Sequence, residues 1–219
     1  MKHKQSLSEL FGDFEGIYHW FQSLDTICVS NYHYTMHIIV DMINGFVKEG
    51  ALSSKEVLSI NRDIADFTRK CRELQIPNVA LADRHTENSV EFDTYPVHCL
   101  EGSEESKLTD EIAEADETIC VFGKNSTNGY LEQDFRNMLV DSDKTTFIIT
   151  GDCTDMCVIQ LALTLKADLN RRNIKSRVIV PYELTATCSL PEHEPELAEI
   201  MALYVMKMNG IEIVKNIDL

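Results

Sequence analysis

Thr145-Thr-Phe-Ile-Ile149-Thr-Gly-Asp-Cys-Thr-Asp-Met-Cys157-Val158 is the stretch on which the fold of this chain turns. Its first half, Thr145 to Thr150, is apolar and β-branched and reads as a buried strand. A helical pattern follows from Asp155 to Arg172. Cys157 therefore falls at a strand-to-helix turn, in the first turn of the helix. A thiol there feels the positive end of the helix dipole and is expected to lose its proton more easily. Backbone N–H groups at such a turn can hold a developing oxyanion, so a nucleophile with an anion site beside it is in reach. The plain alternative is a buried cysteine next to a capping Thr154 or Asp155, and other stretches of the chain decide against it.

Met36-His-Ile-Ile-Val-Asp41-Met-Ile-Asn-Gly-Phe46 is an apolar strand that ends in an acid. Thr118-Ile-Cys-Val-Phe-Gly-Lys124 is a strand that ends in a lysine. In an open α/β sheet ligands sit at the carboxyl ends of strands, so one crevice can collect Asp41, Lys124 and Cys157. There a carboxylate can take the thiol proton and an ammonium can hold carboxylate and thiolate together. Taken singly, Asp41 reads as a turn cap and Lys124 as a solvated charge. Val79-Ala-Leu-Ala-Asp83-Arg-His85 and Glu91-Phe-Asp-Thr-Tyr-Pro-Val-His98 place three acids and two histidines near one another. Mixed carboxylate and imidazole ligands suit zinc, iron or manganese. The competing reading is a polar surface loop.

Strand and helix patterns alternate along the chain. Strands are expected at Met36–Val40, Asn78–Ala82, Thr118–Phe122, Thr145–Thr150, Lys175–Pro181 and Ile211–Val214. Helices are expected at Ser53–Leu74, with a serine cap, and at Glu104–Ala113, Leu131–Leu139, Asp155–Arg172 and Pro195–Met208. Alternation of this kind gives a parallel sheet with helices on both faces, joined by right-handed crossovers into a single-domain doubly wound α/β fold. No Gly-x-Gly-x-x-Gly follows the first strand, so no dinucleotide is expected. Residues 1–31 read as an N-terminal helical extension, with Ser6–Asp13 and Gly16–Leu24 as two short helices anchored by Phe11, Phe14, Trp20 and Phe21. Residues 32–219 read as the main domain. The extension serves either as a wrapper on the core or as a dimer arm, so a homo-oligomer is left open.

The chain has 219 residues and a formal net charge of -16, which argues against nucleic acid and anionic membranes as partners. The seven cysteines are odd in number and lie partly within expected strands and helices, which points to reduced thiols in the cytoplasm. Neither a membrane-length apolar run nor a leader pattern is seen.

With these stretches in hand, the chain resembles the isochorismatase-like cysteine hydrolases, and within them the metal-containing nicotinamidases. The residues that carry the likeness are Val40-Asp-Met-Ile-Asn-Gly-Phe46, Asp83-x-His85, Tyr95-Pro-Val-His-Cys-Leu-Glu-Gly-Ser103, Gly123-Lys124 and Thr150-Gly-x-x-Thr-Asp-x-Cys-Val158, in the family's order from about Thr35 onward. The resemblance implies a six-stranded sheet in the order 3-2-1-4-5-6. It implies an Asp41, Lys124, Cys157 triad and a divalent ion, zinc first, held by Asp83, His85 and His98. Glu91 is the candidate fourth metal-site residue by family spacing, with Asp93 as its rival. It implies an oxyanion hole from the N–H groups of Cys153 and Cys157, and a cis peptide between Asp152 and Cys153. Phe46 and Tyr95 would wall a ring-shaped substrate. Asp152 and Cys153 depart from the small apolar residues usual at these positions. The activity implied is hydrolysis of nicotinamide to nicotinate and ammonia through a cysteine thioester, within NAD salvage. Two other readings compete: a metal-free hydrolase of carbamoyl or ureido amides or of isochorismate, and a non-catalytic binding member. Tyr182, Cys188 and His193 are read as structural, and Met201, Met206 and Met208 as core packing.

Overall fold

Thr35-Met-His-Ile-Ile-Val40 is buried at every residue, as a strand covered on both faces must be. The strands Asn78–Asp83 and Thr146–Asp152 on either side of it are buried throughout as well. The structure is a computed structural model and describes residues 7–189 and 193–219. Ser6, where the first helix was expected to begin, lies outside the described residues.

In chain order, α1 (Leu7–Gln22) and β1 (Ile27–Cys28) precede β2 (Thr35–Val40), α2 (Asn44–Val47), α3 (Lys55–Glu73) and β3 (Asn78–Asp83). Then come α4 (Asp110–Ala115), β4 (Cys120–Lys124), α5 (Gln133–Asp141), β5 (Thr146–Asp152) and α6 (Ile159–Arg171). The chain closes with β6 (Arg177–Pro181), β7 (Thr185–Ala186), α7 (Pro195–Met208), β8 (Glu212–Val214) and β9 (Ile217–Asp218). The main sheet runs β4-β3-β2-β5-β6-β8, with every pair parallel. In terms of the six expected strands this is the order 3-2-1-4-5-6. The expected count of six falls short by one, because β7 pairs with the end of β5. A separate two-stranded piece joins β1 to β9. These strands are two residues each, too short to show a period in sequence.

Alternation along the strands feeds two cores. Ile39, Ala80 and Ile148 face α3, whose Val57, Ile60, Ile64, Phe67 and Cys71 recur every three or four residues. The hydroxyl of Ser54 caps that helix by accepting the Val57 N–H at 3.2 Å. Ile38, Val40, Leu81 and Ile149 face the other way, against Phe135, Leu161, Leu165, Leu203 and Met206. Of the expected methionine stripe, Met206 is buried but Met208 is exposed. His37, buried in β2, ties three strands. Asn78 gives both its amide hydrogens to Thr68 and Asp116, so its oxygen accepts from His37 Nδ1 at 2.8 Å, and His37 Nε2 then accepts from the Thr150 hydroxyl at 2.9 Å.

The N-terminal segment forms one helix, α1, through Gly12 and Gly16, neither of which has a neighbour within 4 Å of an added Cβ. Trp20 and Phe21 are its anchors, stacking on Tyr204 and Tyr182 at 5.7 and 4.6 Å, whereas Phe11 is exposed and anchors nothing. The helix expected at Glu104 begins only at Asp110. The carbonyls of Glu105 and Lys107 are taken instead by the Gly45 and Asn44 amides of the loop after β2. Among the described residues no helix is long and apolar enough to cross a membrane.

The sheet order reverses between β2 and β5, which opens a crevice at their carboxyl ends. Gly151 lets the two strands come this close. Its φ is +112°, and a Cβ there would lie 1.9 Å from the Val40 carbonyl oxygen. Gly151→Ala is expected to cost about 3 kcal/mol or more from overpacking and backbone strain together, read as a lowered urea midpoint. A midpoint unchanged from the parent would show that the strands can part freely here.

Candidate active site

Asp41 is the first residue past β2, with φ +55°, a left-handed conformation that aspartate tolerates better than most residues. Lys124 is the last residue of β4, and Cys157 lies in a wide turn of π type, Thr154–Val158, that leads into α6. The expected helix start at Asp155 is therefore a separate turn, in which the Met156 and Val158 amides both donate to the Cys153 carbonyl at 3.1 Å. The Asp152–Cys153 peptide is cis.

These elements bring the three expected groups together in the crevice. Lys124 Nζ lies 2.8 Å from Asp41 Oδ2 and 3.6 Å from Cys157 Sγ. It also lies 2.5 Å from Asp83 Oδ1, a contact the sequence did not suggest. Asp41 Oδ1 accepts the Asp83 N–H at 3.0 Å, while Oδ2 has no hydrogen bond of good geometry and stands open to a proton. Burial pushes the Asp41 carboxyl up to about 6, with the Asp83 charge adding to it and Lys124 opposing. Burial opposes the Lys124 charge, but Asp41, Asp83 and Cys157 hold the ammonium well above its ordinary range.

The thiol corrects an expectation. Burial pushes Cys157 well up against the pull of Lys124, and the Asp41 and Asp83 carboxylates add to the rise. A helix start does not make this thiol acidic when it is buried among acids. Asp41 is the nearby group that can take its proton, since Lys124 touches both.

Asp83 faces both ways. Its Oδ2 lies 3.4 Å from His85 Nε2 and 3.6 Å from His98 Nε2. The three residues are buried and can place ligand atoms within 4.8 Å of one another. His98 Nδ1 donates to the Pro96 carbonyl at 2.8 Å, and His85 Nδ1 faces Asn125 Oδ1 at 3.3 Å. Both rings therefore turn Nε2 inward, as ligating histidines do. His85 Nε2 is buried with no hydrogen-bond partner, so the donor set fits a divalent ion. Burial alone would raise Asp83, but the Lys124 charge, with the nearby His85 and His98 rings adding to it, holds its carboxyl well below the usual range. Glu91 stands at the edge of the group. Its Oε2 is 3.9 Å from His85 Nε2, and its Oε1 accepts the Thr127 N–H at 2.9 Å. Asp93 is exposed.

A recess opens over these groups. Asp41, Asp83, His98 and Cys157 reach into it, with Phe46, Leu52, Tyr95 and Met156 among its apolar walls. The Phe46 and Tyr95 rings lie 5.7 and 6.4 Å from the His98 ring. Phe92, which the sequence did not single out, packs edge-on against both histidines at 5.4 and 5.7 Å. Cys153 and Cys188 also line the recess. Within the Thr154–Val158 turn, Asp155 holds His193 Nε2 at 2.7 Å and accepts from the Thr187 hydroxyl. Glu199 accepts from the Thr154 hydroxyl at 3.0 Å, and burial raises it to about 7.

Asp152 is the outlier. It is fully buried, and neither carboxyl oxygen has a hydrogen-bond partner. Burial and the neighbouring Asp41 charge push its carboxyl well up, so the folded state keeps it protonated where the unfolded chain has it ionised. The folded state thus binds the extra proton, and stability falls as pH rises from the ordinary carboxylate range, about 4, through the raised value. Asp152→Asn has no such proton to lose. It is expected to gain on the parent by about 1–3 kcal/mol near neutral pH, with the gap closing below about pH 4. Thermal melts of both proteins across that range check this, and parallel curves would refute it.

The chain is similar to known proteins. Nicotinamidase 1 of Arabidopsis thaliana is 27% identical over 209 residues, covering 83% of this chain and 85% of that protein. The crystal structure of the pyrazinamidase of Pyrococcus horikoshii in complex with zinc is 24% identical, with a TM-score of 0.69, over 83% of this chain and 99% of that one. The N-carbamoylsarcosine amidase of Thermoplasma acidophilum is 22% identical, with a TM-score of 0.66, over 83% and 95% of the two chains. A family model described as the isochorismatase domain matches residues 35–209, which hold every one of the site residues above, and the chain belongs to the isochorismatase family.

Proposed function

We propose that the protein is a metal-dependent amidohydrolase that converts nicotinamide, or a close pyridine carboxamide, to the carboxylate and ammonia through a thioester on Cys157. One observation carries this reading. Asp41 and Cys157, which Lys124 joins, and Asp83 and His98, which His85 completes as a buried donor group, line the same recess, with Phe46 and Tyr95 among its walls.

Asp83, His85 and His98 would hold the ion, with Glu91 at its edge. A divalent ion there, zinc first, supplies a Lewis-acid partner for a ring nitrogen. The chain's own residues do the rest. Phe46 and Tyr95 hold a planar ring and leave its carboxamide over Cys157. Asp41 takes the thiol proton as Sγ bonds to the carboxamide carbon, so no free thiolate need accumulate. The N–H groups of Cys153 and Cys157 receive the oxyanion. Asp41 then gives its proton to the leaving ammonia, and as a carboxylate again it takes a proton from the water that opens the thioester. Lys124 stays charged throughout and keeps Asp41 and Asp83 from repelling each other.

A carbamoyl or ureido substrate is the second reading. It gives the Asp83–His85–His98 group nothing to do, so the pyridine amide is favoured. The test is ammonia release from nicotinamide beside benzamide, which has the same shape without the ring nitrogen. Release from nicotinamide with benzamide at least about a hundredfold slower is expected, since a displaced amide loses that much rate. Equal turnover of both would remove the ring nitrogen from the account. No release from any pyridine carboxamide would end the reading.

A further inference from the structure

Three thiols line the recess, and hydrolysis uses only one of them. The other two, Cys153 and Cys188, lie close enough for each thiol to perturb the other. Asp152 of β5 pairs with Ala186 of β7, and Cys153 and Cys188 lie one and two residues past that rung, both against the recess. Neighbouring strands run about 4.8 Å apart and rise about 3.3 Å per residue, so an offset of one residue leaves two Cα atoms about 6 Å apart, inside the about 4.4–6.8 Å that a disulfide spans. His193 adds a charge. Its Nδ1 faces the Cys188 carbonyl at 2.8 Å, and its Nε2 is paired with Asp155 at 2.7 Å, an ion pair that favours the imidazolium. Cys71, Cys99, Cys153 and Cys157 are all pushed up, whereas the Cys153 thiol and the His193 charge pull Cys188 down against its burial. Thiolate character sets which thiol an oxidant meets first.

We propose that Cys188 and Cys153 form a redox-active dithiol in the wall of the substrate recess, with a hydroperoxide as its oxidant. In the first step Cys188 Sγ attacks a peroxide oxygen. An S–O bond forms, the O–O bond breaks, and the leaving oxygen departs with a proton as water or an alcohol. In the second step Cys153 Sγ attacks the Cys188 sulfenic sulfur. The S–S bond forms, the S–O bond breaks, and hydroxide leaves with the Cys153 proton as water. Two thiols lose two electrons and one hydroperoxide gains them. Cys157, buried and protonated, is the slower target. The disulfide would fix the Cys153 end of the turn whose N–H groups receive the oxyanion. That consequence rests on the proposed hydrolysis, while the dithiol chemistry does not.

The experiment treats the whole protein with one equivalent of hydrogen peroxide and then blocks free thiols with N-ethylmaleimide. Digestion with an Asp-specific protease under non-reducing conditions cuts before Asp152 and Asp155, which separates Cys153 from Cys157. Mass spectrometry is expected to find the Cys153 peptide joined to the Cys188 peptide as the main oxidised product, and dithiothreitol should part them. In Cys153→Ala the Cys188 sulfenic acid has no partner and should be trapped by dimedone at Cys188. Oxidation confined to Cys157, a Cys157–Cys188 link, or three free thiols would each overturn the proposal. If the variant fails to fold, the map of the parent protein decides alone. Turnover of nicotinamide in the same samples keeps the two proposals apart, since the link can form in a protein that hydrolyses no carboxamide.

Discussion

Cys157→Ala is expected to lower pyridine carboxamide hydrolysis by at least about 10⁴-fold while leaving the chain folded and the metal group intact. Removal of a covalent nucleophile costs other hydrolases up to about 10⁶ in kcat, and the oxyanion donors and binding contacts that remain account for the residue. Sγ is the group that Lys124 and Asp41 serve here, at 3.6 Å from the Nζ that also lies 2.8 Å from the Asp41 carboxylate. Alanine removes one sulfur from a well-packed wall, so the stability cost stays near that of a small cavity, about 1 kcal/mol. Steady-state kinetics with a coupled ammonia assay measures the loss, and calorimetric titration of nicotinamide into the variant reports whether the recess still binds. The expected pair of results is binding within a few fold of the parent and turnover at the detection limit. Turnover within tenfold of the parent would pass the nucleophile to another thiol of the recess, Cys153 or Cys188.

The sequence made the frame legible because the frame depends on local patterns. The strands β2, β3, β4 and β5 are apolar runs that stop at or beside Asp41, Asp83, Lys124 and Asp152, and a doubly wound sheet forces those ends to one side. Ser54 as a cap and the recurring apolar positions of α3 fall in the same class. What stayed hidden depends on distance in space. The contact of Lys124 with Asp83 joins residues 41 apart, and nothing local marks it. The same holds for Asn125 behind His85. Cys188 was read as structural because β7, which ends just before it, is two residues long and its pairing with β5 leaves no period. The Cys157 thiol was misread for another reason. The helix start is visible in sequence, but the depth at which Cys157 is buried is not, and burial is the largest cause that holds the thiol up.

His85→Ala and His98→Ala are each expected to lose the bound metal and at least about a hundredfold in turnover, yet to leave Cys157 open to iodoacetamide. The reason is which atoms each histidine touches. Both present Nε2 to Asp83 Oδ2, while Lys124 is held by Asp83 Oδ1 and Asp41 Oδ2. Removing one imidazole takes away a ligand but leaves the ammonium fixed between its two carboxylates, and with it the surroundings of Sγ. The lost rate then comes from a misplaced ring, for which a shift of about 1 Å suffices. Asp83→Ala is the contrasting variant, because Asp83 joins the two groups. It should lose metal and also release Lys124, changing Cys157 alkylation together with turnover. Elemental analysis gives the metal content. Alkylation followed by Asp-specific digestion reads Cys157 apart from the exposed Cys28 and Cys120. If the histidine variants lose thiol reactivity in step with metal, the ion itself sets the state of the nucleophile, and Asp83 is not where the two groups divide.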